Sequence, residues 1–552
     1  MSFLKVGAVL GVAASLVTGW HFVQPRGGLG VGSSGSSATP VTYYVSPAGR
    51  NTATGTSPAT AWRTLARASK AALLPGTRLL LRGGHQYSGQ LRLGAADGGN
   101  PRKPVLISTY GTGRATISSS SSAIVVIDTG GITIRGLTIV GQHAMSPANS
   151  GIQMYSDRTT GMFGHVFVDR VNISGFGYGI ALGAAHDGAG FANVRITNSA
   201  LHGNLDAGLI SYGPDYNPKA PGYANHGIYV SHVRAFRNLG DPANTTRNTG
   251  SGIELGSVAS ATVVNSQAYQ NGGKGGATRE GPIGIWAYDS TRVLLAHDVS
   301  HDNTSASVHD GGGFGLDRET SDSVMEYNLS YHNHGAGFLL YSALNAPAPQ
   351  RNNVVRFNLS YGDATGGHHV YGAMTAGGWV DNGTFYQNTI ILARGNKQPV
   401  VKLTGILHHV RMFNNILVAA SGPVVEVVPP LNKALAHPMT TADALLAGND
   451  YRATAGPLFV QWGLKTEYFS IGAWRAATGE EKAAGKAVGL TLNPLFAGPL
   501  SGPRGAAGFV LRKGSPLIGA GLNLKLLFGI TAGKVDFAGK PYSVTRPNIG
   551  AM

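Results

Sequence analysis

Short stretches of alternating apolar and polar residues recur along the middle of the chain, each closed by the same kind of residue. VRITNSALHGN (194–204), ATVVNSQAYQN (261–271), RVLLAHDVSHDN (292–303), SVMEYNLSYHN (323–333) and NVVRFNLSYGD (353–363) share one form. An alternating segment is followed by Asn or His, and a turn residue comes five or six positions later. Aligned on the Asn or His, the column runs Asn172, Asn198, His232, Asn265, His297, Asn328, Asn358, Asn388 and Asn415, at intervals of 26–34 residues. A two-residue period inside units of about 30 residues predicts strands wound into stacked coils. A TIM barrel or doubly wound sheet needs long amphipathic helices between strands, and residues 115–420 contain none. A propeller blade needs about 40 residues and four strands. The pattern therefore predicts an all-β parallel solenoid of about ten coils. The Asn column would form an amide ladder from coil to coil.

A second strand follows each column residue: GIQMY (151–155), GIALG (179–183), GLISY (208–212), GIELG (252–256), GIWAY (284–288), GFGLD (313–317), GFLLY (337–341) and a weaker GHHVY (367–371). Its second and fourth positions are mostly apolar and should point inward. The third and fifth should then point outward and stack into an exposed stripe. That stripe contains Gln153, Tyr155, Tyr212, Glu254, Trp286, Tyr288, Asp317, Tyr341, His369 and Tyr371. Aromatic rings beside carboxylates on a flat sheet suit a sugar chain, although Tyr is also a good strand former on any sheet surface. We read Glu254, Trp286, Tyr288, Tyr212, Tyr341 and His369 as substrate-binding residues.

The gap between column residue and second strand is longest after His232, Asn265 and His297, at 20, 19 and 16 residues. These insertions share one edge, and long loops on a rigid solenoid are usual places for function. Loops and stripe converge on residues 239–319.

Composition agrees with this picture. The 81 Gly suit tight corners, and the absence of Cys removes disulfide scaffolds and thiolate chemistry. The net charge of +16 suggests a polyanionic partner. The basic residues are scattered and no recognition helix is visible, so an acidic polysaccharide is expected and a nucleic acid is not.

Three chemistries fit region 239–319. A polysaccharide lyase working by β-elimination needs a base and a cation for the substrate carboxylate. Lys274, Arg279 and His309 are candidates for those tasks, and Asp310 and Asp317 for metal-ligand or acid/base roles. Asp298 and Asp302 are weak candidate ligands for Ca²⁺, the one cofactor suggested. A glycoside hydrolase needs two carboxylates. Glu254 and Asp317 lie two rungs and two residues apart, a backbone separation of about 12 Å, and Asp310 or Glu280 could pair with Asp317 instead. The third reading is a polysaccharide-binding solenoid without catalysis. Of the three, the lyase is the leading expectation.

Residues 1–24 carry one Lys followed by an apolar run and read as a signal peptide or membrane anchor. The expected location is secreted, periplasmic, or tethered to the outer face of a bacterial inner membrane. Membrane contact is expected only through this segment. Residues 25–40 are a Gly/Ser-rich linker. The expected organisation beyond it is an N-terminal cap with first strands (41–114), the β-helix (115–430) and a C-terminal closing segment (431–552).

Residues 43–112, from YYVSPAGRNTATG to LISTYGT, resemble the entry segment of right-handed parallel β-helix proteins of the pectate-lyase-like superfamily. In those proteins a short helix, here about Trp62–Leu74, caps the open end. The stretch DGGGFGLDRETSDSVMEYNLSYHNHGAGFLLYS (310–342) is similar to a recurring segment of one subgroup, whose usual form is closer to DGGGFDLD. This chain has Gly315 where an Asp is usual and keeps Asp317, which removes one carboxylate from the stripe. GNDY (448–451), SIGAWRAATGEE around Trp474, NPLF (493–496) and FVLRKGSPLIGAG (509–521) resemble the superfamily's closing segment. The resemblance implies a right-handed parallel β-helix over 43–552. It does not imply one reaction, because the superfamily holds lyases, hydrolases, epimerases and binding proteins.

Overall fold

The computed structural model describes residues 40–366, 370–430, 437–498 and 503–552. The signal-peptide or anchor reading lies outside the described residues, as does all of the linker except Pro40. Three long sheets of 14, 15 and 13 strands run the length of the molecule. Each coil adds one strand to each sheet, and neighbouring strands pair in parallel register. The result is a β-solenoid of about twelve turns. The Asn column marks fewer, because the end coils lack it: Thr42–Val45 and Arg78–Arg82 already pair in the first sheet.

Inward positions stack like on like. In the second sheet one column reads Ile152, Ile180, Leu209, Ile253, Ile285, Phe314 and Phe338, every member buried. Burying such a side chain contributes roughly 1.5–3 kcal/mol, so each coil is held chiefly by its neighbours.

Two buried polar ladders fix the corners. In the first, Asn328, Asn358, Asn388 and Asn415 each donate from Nδ2 to Oδ1 of the next Asn, at 2.9–3.1 Å, ending on Asn449. In earlier coils the expected column is one residue out. The ladder slot there holds Ser266 and Asp298, whose oxygens accept the N–H groups of Val233 and Ser266. Asn198, His232, Asn265 and His297 precede the slot and adopt φ of 52–56°, as Tyr327 and Phe357 do in later coils. Asn suits both the left-handed corner and the ladder, so the letter pattern alone could not separate adjacent positions. The second ladder occupies the turn position five residues on from the first. It runs Asn204, Asn238, Asn271, Asn303, Asn333, Asp363, with links of 2.8–3.0 Å.

Trp62 and the short helix Leu65–Ala68, N-capped by Thr64, close the first coil. At the other end Glu481 terminates the Asn ladder, accepting from Asn449 Nδ2 (2.9 Å) and Tyr451 OH (2.6 Å). The chain then returns over the outside of the solenoid. Phe509, Leu517 and Ile549 cover Leu359 and Ile416, and Leu524 packs against Phe357 and Phe413. These contacts lie on the first and third sheets and their shared corner, which leaves the outer face of the second sheet free.

Candidate functional site

The outer face of the second sheet forms the floor of a groove. Strand register places Ile210, Glu254, Trp286, Gly315 and Leu339 in one outward column, and Tyr212, Gly256, Tyr288, Asp317 and Tyr341 in the next. The expected stripe is thus outward-facing, but it is not exposed. Glu254, Trp286 and Tyr212 retain only 8%, 6% and 8% of their surface. Their rings lie down on the sheet. A Cβ on Gly183 would fall 2.1 Å from the Tyr212 ring, and one on Gly256 the same distance from the Tyr288 ring. Glycine in the neighbouring coil is what lets each tyrosine lie flat.

The three long insertions form one wall, and hydrogen bonds tie each to the next. Lys274 N–H donates to Leu239 O (2.8 Å) and Asn248 N–H to Glu280 Oε2 (3.2 Å). Gly281 N–H donates to Asp310 Oδ2 (2.9 Å). Residues after the strand ends, including Gly213–Asp215, Asp289 and Arg318, line the opposite side of a cleft whose floor includes Glu254 and Trp286.

Two buried carboxyls belong to one strand of the groove floor, Asp310 in the turn before Gly312–Asp317 and Asp317 at its far end, and the charge of Asp310 acts on Asp317. Asp310 has φ 56° and Gly311 φ 72°, a left-handed turn just before the strand Gly312–Asp317. Asp310 Oδ1 accepts the Tyr371 hydroxyl at 2.8 Å, and Oδ2 accepts Gly281 N–H. Burial pushes its pKa up to about 6, against the lowering effect of those two donors. Asp317 accepts one hydrogen bond, from Arg318 N–H at 2.7 Å. Burial, then the charge of Asp310, pushes its pKa up to about 7. The carboxylate missing at Gly315 is therefore matched by one from the turn ahead of the strand. A Cβ at Gly315 would stand 2.9 Å from Ile283 Cδ1.

Two rungs upstream, burial raises Glu254 to about 8, and Asp206 adds to the rise. Arg247, from the first insertion, grips Asp206 with both terminal nitrogens, Nη1 to Oδ1 at 2.9 Å. It also donates to Tyr178 OH at 3.1 Å. Trp286 Nε1–H donates to Ser251 Oγ at 3.1 Å. Below the cleft, burial and then a hydrogen bond with Asp289 raise the Glu319 carboxyl, and Arg318 lies 5.6 Å over the Tyr288 ring.

The remaining expected residues fall elsewhere. Lys274 and Arg279 are exposed on the second insertion. His309 is half-buried; burial lowers its ring pKa, opposed by Glu280. Tyr341 takes its place beside Asp317. His369 lies outside the described residues. The strand of its coil is Met374–Asp381, paired with Phe338–Ser342, so GHHVY precedes the strand and Tyr371 reaches Asp310 from a loop. Asp298 is consumed by the ladder, and Asp302 sits half-buried at another corner, 2.8 Å from His301 Nδ1. No cluster of three potential ligands occurs among the described residues. The polyanion reading of the charge also changes. Region 239–319 holds five Lys and Arg against nine Asp and Glu, whereas residues 40–200 hold fourteen against five.

Sequence reading missed Asp206, Tyr178, Asp289, Arg318 and Glu319 as groove residues. The last three follow directly on the strand motifs, in WAYDS and GLDRE, a usable signal. Asp206 and Arg247 meet across 41 residues, and nothing local marks that contact.

Residues 189–390 match the family model described as "Right handed beta helix region". The fold is a right-handed parallel β-helix. That is the fold implied by its resemblance to the pectate-lyase-like superfamily. No curated protein sequence matches it. Similar solved structures include a GH136 lacto-N-biosidase from Eubacterium ramulus (16% identity, 76% of this β-helix chain and 68% of the other, TM-score 0.49). Another is pectate lyase Pel9A (14% identity, 93% and 96%, TM-score 0.43). A third is the T265N mutant of the periplasmic alginate epimerase AlgG (11% identity, 71% and 77%, TM-score 0.35). These likenesses are too loose to bear on the chemistry of this β-helix.

Proposed function

We propose that this β-helix is a carbohydrate-active enzyme that hydrolyses glycosidic bonds along the second-sheet groove, with Asp310 and Asp317 as its carboxyl pair. The observation that carries the reading is the environment of that pair. Two buried carboxyls lie before and at the end of one groove-floor strand, burial raises both, and they differ in their donors, two for Asp310 and one for Asp317. Asp310, held by two donors and titrating near 6, is mostly ionised at pH 7. Asp317, near 7 and with one donor, retains its proton for about half the time. Glycoside hydrolysis needs one of each. Asp317 would give its proton to the leaving glycosidic oxygen as that bond breaks. Asp310 would supply the carboxylate that supports attack at the anomeric carbon. Tyr341 and Tyr288 flank Asp317 on the neighbouring rungs and would carry the sugar faces.

Elimination is supported less well. Of its candidate bases, Lys274 and Arg279 are exposed and only His309 is half-buried, and the charges that shape Asp317 are Asp310, Arg318 and Glu280. An exported location belongs to the proposal and rests on the apolar segment at 6–17.

The test is incubation with a polysaccharide panel, reading new reducing ends alongside the absorbance of unsaturated products. Reducing ends without that absorbance, abolished in Asp317→Asn, are expected. Unsaturated products would overturn hydrolysis in favour of elimination.

A further inference from the structure

We infer that the groove takes an uncharged glycan rather than an acidic one, and that the cleft between Tyr212 and Arg318 is a subsite for one of its sugars. The inference rests on reading the groove as a glycan-cleaving site, and three observations narrow the substrate.

The first is the sign of the charge. The region that forms the floor and loop wall carries almost twice as many acids as bases. The excess positive charge sits mainly in residues 40–200 and in the closing segment 481–552, where nine Lys and Arg face two acids. A uronate entering the groove would meet Asp289, Asp310 and, when ionised, Asp317, and like charges held close in a poorly solvated site repel strongly.

The second is the state of the cations. Arg247 and Arg318 are the cleft's lining cations, and both have acidic neighbours of their own. Arg247 is paired with Asp206 through two hydrogen bonds. Arg318 is balanced by Asp289 and Asp317 and lies over the Tyr288 ring. A carboxylate is best met by a cation with no acidic partner; Arg247 is paired, and Arg318 already lies in the field of two carboxyls.

The third is the unmatched hydrogen-bonding capacity of the wall. Asp289 Oδ1 and Asn248 Nδ2 are buried without a protein partner, and both residues line the cleft. Asp289 is only 6% exposed. One atom is an acceptor and the other a donor. A sugar hydroxyl both donates and accepts, so it can satisfy either. A carboxylate could serve only Asn248 and would leave the acceptor of Asp289 worse placed. Tyr212, Trp286 and Tyr288 line the cleft and supply its apolar surface.

The experiment separates this inference from the hydrolase reading by measuring binding without turnover. The full chain carrying Asp317→Asn is titrated calorimetrically with neutral oligosaccharides (gluco-, galacto- and N-acetylglucosamine types) and with oligogalacturonate and oligoalginate. A neutral oligosaccharide should bind at least about tenfold tighter than either uronate, a gap of ~1.4 kcal/mol. Asn248→Ala, which removes only a side-chain amide group that has no protein partner, should weaken that binding about tenfold and leave the melting temperature unchanged. Asp289→Asn should retain more affinity than Asp289→Ala. A uronate that binds as tightly as the best neutral ligand overturns the inference even if the enzyme proves to be a hydrolase. So does the absence of millimolar binding by every neutral ligand. Neutral binding by a chain that releases no reducing ends removes the hydrolase reading and leaves the inference standing.

Discussion

Replacing Asp317 by Asn should abolish activity and stabilise the fold, and the stabilisation should depend on pH. The group titrates near 7 in the folded chain against an ordinary value of 3.8, mainly because burial disfavours its charge. A displacement of about three units corresponds to at most ~4 kcal/mol. The sign follows from proton counting. Between about pH 4 and pH 7 the folded state holds the proton and the unfolded state has lost it, so folding stability falls as pH rises through that window. Above 7 the full cost is present. Asn is close in shape and never ionises, so the variant avoids this cost. At pH 4 wild type and variant should melt together. By pH 8 the variant should be ahead by ~2–4 kcal/mol, a few degrees in Tm. The assay is thermal or urea unfolding of both proteins at several pH values, with reducing-end release measured in parallel. An Asn variant that is no more stable than wild type at pH 8, or one that keeps its activity, would refute the argument. Lost activity with gained stability is the trade expected of a strained catalytic group.

The rate should follow a bell in pH with its maximum between about 6 and 7, the apparent values belonging to the Asp310–Asp317 pair. Tyr371→Phe removes a donor that favours ionised Asp310, so its acidic limb should move to higher pH, and an unmoved limb would count against the Asp310 assignment. Lys274→Ala with Arg279→Ala should leave turnover within about threefold, whereas a loss near 10²-fold would be the mark of a general base. Asn358→Ala should cost about 3 kcal/mol in denaturant unfolding, because it orphans the Asn328 N–H and the Met325 carbonyl inside the solenoid; a cost under ~1 kcal/mol would mean that the ladder relaxes. A chelator should leave activity intact, since Asp298 and Asp302 are held at separate corners, and a loss restored by Ca²⁺ would refute this.

By itself, the sequence determined what repeats. Alternation within a 30-residue unit dictates which side chains face inward, and identical neighbours make each coil's core depend only on the next. It therefore yielded the solenoid, the outward column through Glu254, Trp286, Tyr288 and Asp317, and the edge that carries the insertions. It could not separate the ladder residue from the corner residue before it, because Asn serves both. Nor could it tell that the stripe is covered. That depends on rings lying across glycines one coil away, as Tyr288 does on Gly256. Only the tertiary structure decided the chemistry. Asp310 joins Asp317 through a left-handed turn, Tyr371 arrives from a loop 61 residues on, and Arg247 is neutralised by Asp206 from another coil. Acidity and available charge are set by burial and by partners distant in sequence. A local pattern can name the carboxyls, but it cannot say which of them keeps its proton.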